Sequence, residues 1–356
     1  NNVGLTVGNT LPDANLKPEF VTATEVGAEL SMFNNRVNLD VSWYKQNSIG
    51  QVLTVKIPNS TGFSNLLINV GQVDNWGYES DLKVQILRDT KIKWDFNIKY
   101  SYNDNKVVDL YPGITEFAYG GYSYASSNVI LGQRFPILKT NGYFYSTDGS
   151  GMRRVSPVTG YPVQNTALTA RGGTLPRDMV GLGSTFTYKD FRLAFNFEYR
   201  GGNVMYSDLG RQMTFTGSGA WTSNRGDQIF PNSYYIDPTT GKDVPNTTVH
   251  VREPEYALWV NNYRLIAENF VAPAWFIKLR DVNLSYTLPS ALVKKTKVFS
   301  AANVAVYGRN LFTIIDSKNQ FTDPEFSYTA GNGSGISNTL QTPPVRQFGI
   351  NVNFVF

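Results

Sequence analysis

Apolar and polar residues alternate along several stretches of the chain, most clearly from residue 91 to residue 103. A period of two predicts a β-strand with one apolar and one polar face. The apolar face of this strand carries Ile92, Trp94, Phe96, Ile98, Tyr100 and Tyr102. The opposite face carries Lys91, Lys93, Asp95, Asn97, Lys99, Ser101 and Asn103. The pattern therefore predicts a strand whose two faces meet very different surroundings.

Most alternating stretches come in pairs, and short turns between them predict β-hairpins. The predicted partners are 26–32 with 37–43, 78–86 with 91–103, 182–188 with 191–199, and 276–288 with 301–313. A last strand covers residues 345–356, which gives about nine strands in all. Alternation is weaker between Ile277 and Arg280, which predicts a bulge or a membrane boundary there.

Long connections separate the hairpins, and they are rich in Gly, Pro, Asn, Ser, Thr and Tyr. They are predicted as irregular segments over 46–74, 104–179, 201–274 and 315–344. Short turns thus alternate with long loops, as in outer-membrane barrels, where the turns face the periplasm and the loops face outside. If the chain ends at the periplasmic rim, counting strands backwards puts every short turn on that side.

A soluble β-sandwich, such as a surface adhesin, is the alternative, because its strands also alternate. The predicted strands exceed the usual length of about five or six residues. Aromatic residues also crowd the strand ends, as at Trp43 and Tyr44. We therefore predict an all-β fold, a transmembrane antiparallel β-barrel.

Composition agrees with this fold and excludes some partners. Of the 356 residues, 41% are hydrophobic, 17% are charged and 14% are aromatic. No run approaches the roughly 18 apolar residues of a transmembrane helix, whereas barrel strands average out in hydropathy. The net charge of +4 is mild, and the Lys and Arg residues form no dense basic stripe. We predict no nucleic-acid partner.

The sequence offers little for catalysis or metal binding. Cysteine is absent, which excludes disulfides and thiol chemistry, and the single histidine, His250, is interpreted as a loop residue. The carboxylate pairs Glu253 with Glu255 and Asp323 with Glu325 are interpreted as solvated loop faces. Residues 316–325 lack the central glycine of an EF-hand, so calcium there has no support. We predict a protein that is not an enzyme, with no catalytic residue, cofactor or metal site.

Aromatic residues in the second long connection are the candidate ligand contacts. Aromatic faces stack on sugar rings or peptide side chains, although such rings also pack loops onto each other. The candidates are Phe117, Tyr119, Tyr122, Tyr124, Tyr143 and Tyr145.

The C-terminal strand carries a more specific signal, because an alternating strand that ends at an aromatic residue is the form recognised in outer-membrane barrel assembly. Its apolar positions are Phe348, Ile350, Val352, Phe354 and Phe356. A plain edge strand of a soluble protein would not require a terminal Phe.

Several motifs, in order along the chain, resemble those of the SusC/RagA-like TonB-dependent transporters of Bacteroidetes. They are LKPE (16–19), EVGAEL (25–30), FNNR (33–36), IPNSTG (57–62), NVGQVDNWGYE (69–79), LGQRFP (131–136), LPRDMVGLGSTFTYKDFRL (175–193), FIKLRDVNLSYTLP (276–289), GRNLF (308–312) and DPE (323–325). The motifs set turns and strand ends, so no binding residue is carried over from the family.

The resemblance implies the C-terminal part of an outer-membrane barrel of about 22 strands. It further implies import of a large nutrient, a glycan or a peptide, driven by the TonB complex and capped by a SusD-like surface lipoprotein. Residues 1–356 contain neither the plug domain nor a TonB box, which we expect elsewhere in the protein. A passive porin and a surface adhesin are the alternative functions.

Overall fold

The computed structural model describes residues 8–340, 342 and 344–356, and these are organised mainly in strands. The strands are β1 (Thr10–Pro12), β2 (Phe20–Met32), β3 (Val37–Lys56), β4 (Asn65–Leu87), β5 (Ile92–Leu110), β6 (Glu116–Tyr122), β7 (Ala125–Ile130), β8 (Ile137–Tyr143), β9 (Arg153–Arg154), β10 (Gln164–Gly173), β11 (Asp178–Tyr188), β12 (Phe191–Gly201), β13 (Val204–Ser207), β14 (Ser233–Ile236), β15 (Asp243–Pro245), β16 (Val271–Pro273), β17 (Phe276–Thr287), β18 (Ala301–Ile315), β19 (Ile336–Ser337) and β20 (Gln347–Val355).

Helices are few and short. The α-helices are α1 (Asp208–Thr216) and α2 (Ser290–Val293). A π-helix covers Ala257–Asn262, and 3-10 helices cover Asn59–Thr61, Ala220–Thr222, Tyr263–Leu265, Ala267–Phe270, Lys294–Thr296 and Gly331–Gly333. Within the described residues, no helix is long and apolar enough to cross a membrane.

One large sheet forms the body of the fold. Its strand order is β2-β3-β4-β5-β11-β12-β17-β18-β20, and β1 pairs with β4 in parallel at the side. Every neighbouring pair along the main path is antiparallel. The nine strands of this path confirm the expected number, and the four predicted hairpins pair as expected.

The two faces of the large sheet differ in polarity, as the alternation predicts. Phe96 lies between Val84 and Ser184, whereas its neighbour Asp95 lies between Gln85 and Thr185. The apolar face is open over much of its length, with Val26 65% and Leu30 48% exposed. A broad exposed apolar sheet face fits contact with lipid, and the opposite face, which we call the inner wall, fits contact with water.

The two ends of the large sheet also differ, and we call them the turn edge and the loop edge. The β2–β3, β4–β5, β11–β12 and β17–β18 connections all lie at the turn edge. In the first of these turns, Phe33, Asn34 and Asn35 adopt positive φ angles between 55° and 62°. Asn tolerates this left-handed conformation better than most residues, which explains the tight reversal. The β17–β18 connection is longer and contains α2.

The weak alternation near Ile277 corresponds to a bulge. Register shifts lie between Asn196 and Phe197 on β12 and between Leu279 and Asp281 on β17. The extra residue is Arg280, which therefore stays on the polar side of the sheet. The bulge prediction is confirmed.

The prediction that residues 46–74 form an irregular loop is wrong. β3 continues to residue 56 and β4 begins at residue 65, so these strands are 20 and 23 residues long. A membrane crossing needs about 9–11 residues, so both strands project beyond it. Gly50, at φ +68°, and Gly71 lie at register shifts that break the alternation and hide the strands. A side chain at Gly71 would collide with the backbone of Asp109.

The other long connections lie at the loop edge as predicted, but they too are not irregular. They contain three small sheets, with orders β10-β8-β7-β6, β16-β13-β19 and β15-β14-β9. Their strands are short, and several pair only across two or three residues, so they give no periodic signal in the sequence.

The C-terminal strand forms as predicted and pairs with β18 along its whole length. Phe348, Ile350, Val352, Phe354 and Phe356 are all exposed, the first to 73%. Among the described residues, β20 has no second strand neighbour, and the same holds for β2 at the other end of the sheet. The part these residues play in barrel assembly stays a prediction.

The assignment of the two faces predicts opposite results for neighbouring substitutions. In the full-length protein, Phe96→Asp should lower the free energy of unfolding by about 2 kcal/mol or more, because a charge replaces an apolar group in lipid. Asp95→Leu should change it by less than about 0.5 kcal/mol, because Asp95 faces water. Chemical unfolding of the refolded barrel in lipid vesicles measures both values. Equal effects would contradict the face assignment.

Candidate functional site

The three longest connections fold into one unit at the loop edge, which we call the loop assembly (residues 111–177, 202–275 and 316–346). Its interior is apolar, and contacts cross from one connection to another. Tyr143 and Val155 pack with Phe230 and Leu258 in one buried cluster. In a second cluster, Leu138 packs with Tyr206, Phe270 and Ile336. These shared cores fix the connections relative to each other.

Short strand pairings between different connections add to the packing. β9 pairs with β14 in parallel, and β13 pairs with β19 in parallel. Helix α1 follows β13 directly and begins after Ser207, whose hydroxyl accepts a hydrogen bond from the Gly210 amide at 3.1 Å. It ends at Gly217 in the left-handed conformation, with φ of 70°. These end signals hold the helix in a fixed place beside Tyr124.

Tyr122 and Tyr124 lie together beside α1. Their rings stack with centroids 5.2 Å apart, and both approach Tyr206 edge-on. The Tyr124 hydroxyl donates to Asp208 at 3.1 Å, and the Arg211 guanidinium lies 4.3 Å from the ring centroid. Burial, reinforced by the charge of Asp208, raises the pKa of Tyr124 to about 12. Both rings are thus neutral parts of the second buried cluster.

Tyr143 belongs to the first buried cluster, and the Tyr145 ring lies next to it, with ring centroids 6.2 Å apart. Tyr143 is buried, and its hydroxyl donates to Asn269 at 2.6 Å. Tyr145 is 45% exposed, and its hydroxyl donates to Glu268 at 2.6 Å. Burial and the hydrogen bond to Glu268 raise the pKa of Tyr145 to about 12. Arg171 also binds Glu268, at 2.8 Å, so the Tyr145 ring is held on a paired carboxylate.

Phe117 and Tyr119 lie on β6 with Tyr122, but they contact different neighbours from Tyr122. Phe117 packs against a third buried cluster, formed by Ile68, Val70 and Val107 of the projecting strands. Tyr119 is 40% exposed and meets Phe135 edge-on, with ring centroids 5.8 Å apart.

The six aromatic candidates therefore contact three different sets of neighbours. Phe117, Tyr122, Tyr124 and Tyr143 mainly pack the connections together. Tyr119 and Tyr145 keep an exposed face that a ligand could reach. Ligand contact by these residues stays a prediction.

Sequence reasoning missed an ion network where the loop assembly meets the inner wall. Its members are Glu198, Arg200, Lys278, Arg280, Asp323 and Glu325. Lys278 donates to Asp323 at 2.7 and 2.8 Å and also binds Glu325. Arg280 binds Glu325 through two hydrogen bonds of 2.6 and 2.8 Å. The network ties connection 316–346 to β12 and β17.

The interpretation of Asp323 and Glu325 as a solvated face is wrong. The side chains of Asp323 and Lys278 are only 8% and 4% exposed. Burial would raise the pKa of Glu325, but the hydrogen bonds and charges of Arg280 and Lys278 prevail and lower it to about 2. The sequence signal for this ion network was the pair of cations Lys278 and Arg280 in the FIKLRD motif. They share the polar face of β17 only because Arg280 is the bulged residue.

The single histidine does not belong to this ion network. His250 lies in a loop, as predicted, where its ring is exposed and lies 2.7 Å from Asp227. Across the described part of the chain, no group of three or more His, Cys, Asp or Glu residues is placed to hold a metal ion.

Comparison with known proteins explains the large sheet. The family described as TonB dependent receptor-like, beta-barrel, matches residues 2–311. The chain belongs to this family of TonB-dependent receptors. The chain is 26% identical to TonB-dependent receptor P26 of Formosa agariphila, over 99% of this chain and 36% of that protein. It is 25% identical to TonB-dependent receptor P3 of the same organism, over 96% and 34%.

Solved structures show the same fold. The RagAB peptide importer in its closed-closed state matches with a TM-score of 0.66 and 20% identity, over 94% of this chain and 35% of that chain. The open-open state matches with a TM-score of 0.63. The chain thus spans about a third of the length of these relatives. The family places it in the bacterial outer membrane and confirms the barrel over the soluble sandwich.

The ion network predicts a strong effect of losing its buried cation. Lys278→Met leaves Asp323 buried without its partner, and breaking a buried pair in this way costs about 3–5 kcal/mol. Proteinase K should therefore cut within residues 316–346 of the full-length barrel at least about tenfold faster. Lys83→Met is the matched control, because Lys83 is 64% exposed and pairs with Asp81 at the surface. An unchanged cleavage rate in Lys278→Met would show that other contacts hold the connection.

The pKa of Glu325 predicts a pH window for the same network. Because the folded pKa of about 2 lies below the usual carboxyl value, the contribution of Glu325 is complete above about pH 4.5 and is lost as the pH falls towards 2. Glu325→Gln should therefore unfold at a lower temperature than the unmodified protein at pH 7. The difference should vanish near pH 2. An equal loss of thermal stability at pH 7 and near pH 2 would contradict this pH window.

Proposed function

We propose that the chain forms part of the barrel of a TonB-dependent transporter that imports a large nutrient, a glycan or a peptide, across the outer membrane. The observation that carries the proposal is the family match over most of the chain, together with a wide sheet that has one apolar and one wet face. The plug domain and the TonB box belong to other segments of the same protein in this proposal.

The loop assembly supports the import of a large solute. It is a folded body with its own buried clusters and not a set of short loops, so it presents a defined surface at the loop edge. Tyr119 and Tyr145 offer exposed rings there, and we assign both to nutrient contact.

A lid partner is part of the proposal. The RagAB structures match the fold of the chain and are described as a peptide transporter and importer. By analogy with this system, a SusD-like lipoprotein sits on the loop assembly, and the TonB complex acts through the plug domain. The analogy concerns partners, and at 20% identity it does not transfer the peptide substrate.

Deleting the gene tests the proposal. The deletion strain should fail to grow on one polymer class in a panel of neutral polysaccharide digests and a tryptic casein digest, and growth should return with the gene on a plasmid. A protonophore should abolish uptake in the complemented strain, because TonB-driven import needs inner-membrane energy. Tyr119→Ala and Tyr145→Ala should weaken nutrient binding at the surface about two- to tenfold each, since stacking contributes about 0.5–1.5 kcal/mol.

Two outcomes would contradict the proposal in different ways. Uptake that persists in the presence of the protonophore would indicate a passive porin. Normal growth of the deletion strain on every polymer, with loss of surface attachment, would indicate an adhesin.

A further inference from the structure

The inner wall of the large sheet is divided into two regions of different chemistry. On β3, β4 and β5 it carries fixed charges of both signs, among them Asp40, Glu79, Asp81, Lys83, Asp95 and Lys99. Asp81 lies between two of them, 3.2 Å from Lys83 and 3.7 Å from Lys99. We call this region the charged wall.

The other region lies on β17, β18 and β20 near the turn edge, and we call it the amide recess. Its residues are Ser285, Thr287, Asn303, Ala305, Asn351 and Asn353, which line one open depression of about 630 Å³. None of these six side chains carries a charge. Charged groups meet the depression only at its border on β12 and in the preceding turn, at Lys189, Asp190 and Arg192.

Strand register places the amide and hydroxyl groups side by side. Asn303 lies between Thr287 and Asn353, and Ala305 lies between Ser285 and Asn351. Asn303 donates to the Thr287 hydroxyl at 3.2 Å. The Asn351 and Asn353 side chains are exposed and make no hydrogen bond to any other described residue. Within the described residues, both amides are therefore available to a group in the lumen.

Charge returns towards the loop edge. Arg309 follows on β18, with its guanidinium 5.4 Å from the centroid of the Tyr307 ring. The ion network lies at the same end, on β12 and β17. The amide recess is thus confined to the turn-edge half of the inner wall, which a solute meets last on its way inwards.

The charged wall and the amide recess suit different binding partners. Fixed charges of alternating sign set the register and orientation of a facing protein surface. Neutral amides form hydrogen bonds worth only about 0.5–1.5 kcal/mol net, which water readily replaces. A solute that must enter and leave needs such weak, repeated contacts. Asn also offers a donor and an acceptor on one side chain, which matches the hydroxyl groups of a sugar.

We propose that the imported solute passes along the amide recess, between strands β17, β18 and β20 and the domain that fills the barrel. The solute in this proposal is a neutral oligosaccharide. The inference rests on the proposed function and adds the path and the substrate class. A peptide fits less well, because its termini and charged side chains would find counter-charges only at the border of the recess, at Lys189, Asp190 and Arg192. The charged wall holds the barrel filling in place in this arrangement.

Bulky substitutions in the full-length transporter test the path. Asn351→Trp and Asn353→Trp fill the recess from exposed positions. Val306→Trp is the matched control, since Val306 lies on β18 next to Ala305 but on the opposite, lipid-facing side, where it is 52% exposed. Cells receive tritium-labelled neutral β-glucan oligosaccharides or a tritium-labelled tryptic casein digest. Surface binding is measured with the protonophore present and uptake without it, and heat-modifiable gel migration verifies that each barrel folds.

We expect both recess variants to take up the oligosaccharides at least about tenfold more slowly, equivalent to an added barrier of about 1.4 kcal/mol, with surface binding unchanged. Val306→Trp should keep its uptake rate. Normal uptake by both folded recess variants, or an equal loss in Val306→Trp, would overturn the path. Uptake of casein peptides alone by the unmodified protein would overturn the substrate class and leave the proposed function standing. Uptake of neither would refute both.

Discussion

The need to satisfy every backbone hydrogen bond in lipid is the constraint on which the rest of the structure depends. Each unpaired N–H or C=O group in a bilayer costs several kcal/mol, so strands can cross only as a continuous ladder. The nine antiparallel strands of the large sheet meet this demand along their shared edges. The outer edges of β2 and β20 can meet it only through further strands, as in a closed barrel of this family.

This constraint applies only within the membrane, and outside it the chain can adopt other structures than a continuous ladder of strands. β3 and β4 run on past the crossing because their ladder stays favourable in water, where Ile68 and Val70 pack against the loop assembly. The connections are free to form small sheets and helices. Connection 316–346 then returns to the wall, where Lys278 and Arg280 donate hydrogen bonds to its carboxylates. Loops and barrel are therefore joined by charge as well as by chain connectivity.

Sequence reasoning succeeded where the environment imposes a period. The lipid face must be apolar at every second residue, so the hairpin containing Phe96 and the terminal strand containing Ile350 could be predicted. The projecting part of β4 was missed, because Gly71 shifts its register and lipid no longer demands alternation. The pairing of Lys278 with Asp323 was missed for another reason. The two residues are 45 positions apart, and only the folded connection brings them together.

The inner wall is the surface on which folding least restricts the choice of side chain. Water accepts a charged side chain such as Asp81 or a neutral one such as Asn351 equally well, and either satisfies the alternation. The barrel therefore gives no reason for charges to collect on β3, β4 and β5 and for neutral groups to collect on the turn-edge half of β17, β18 and β20. A difference that folding does not require is best explained by what lies against each region. A domain that fills the barrel in one fixed orientation needs fixed charges on the wall that faces it. A solute that must slide past this domain needs a wall of neutral groups that bind it weakly.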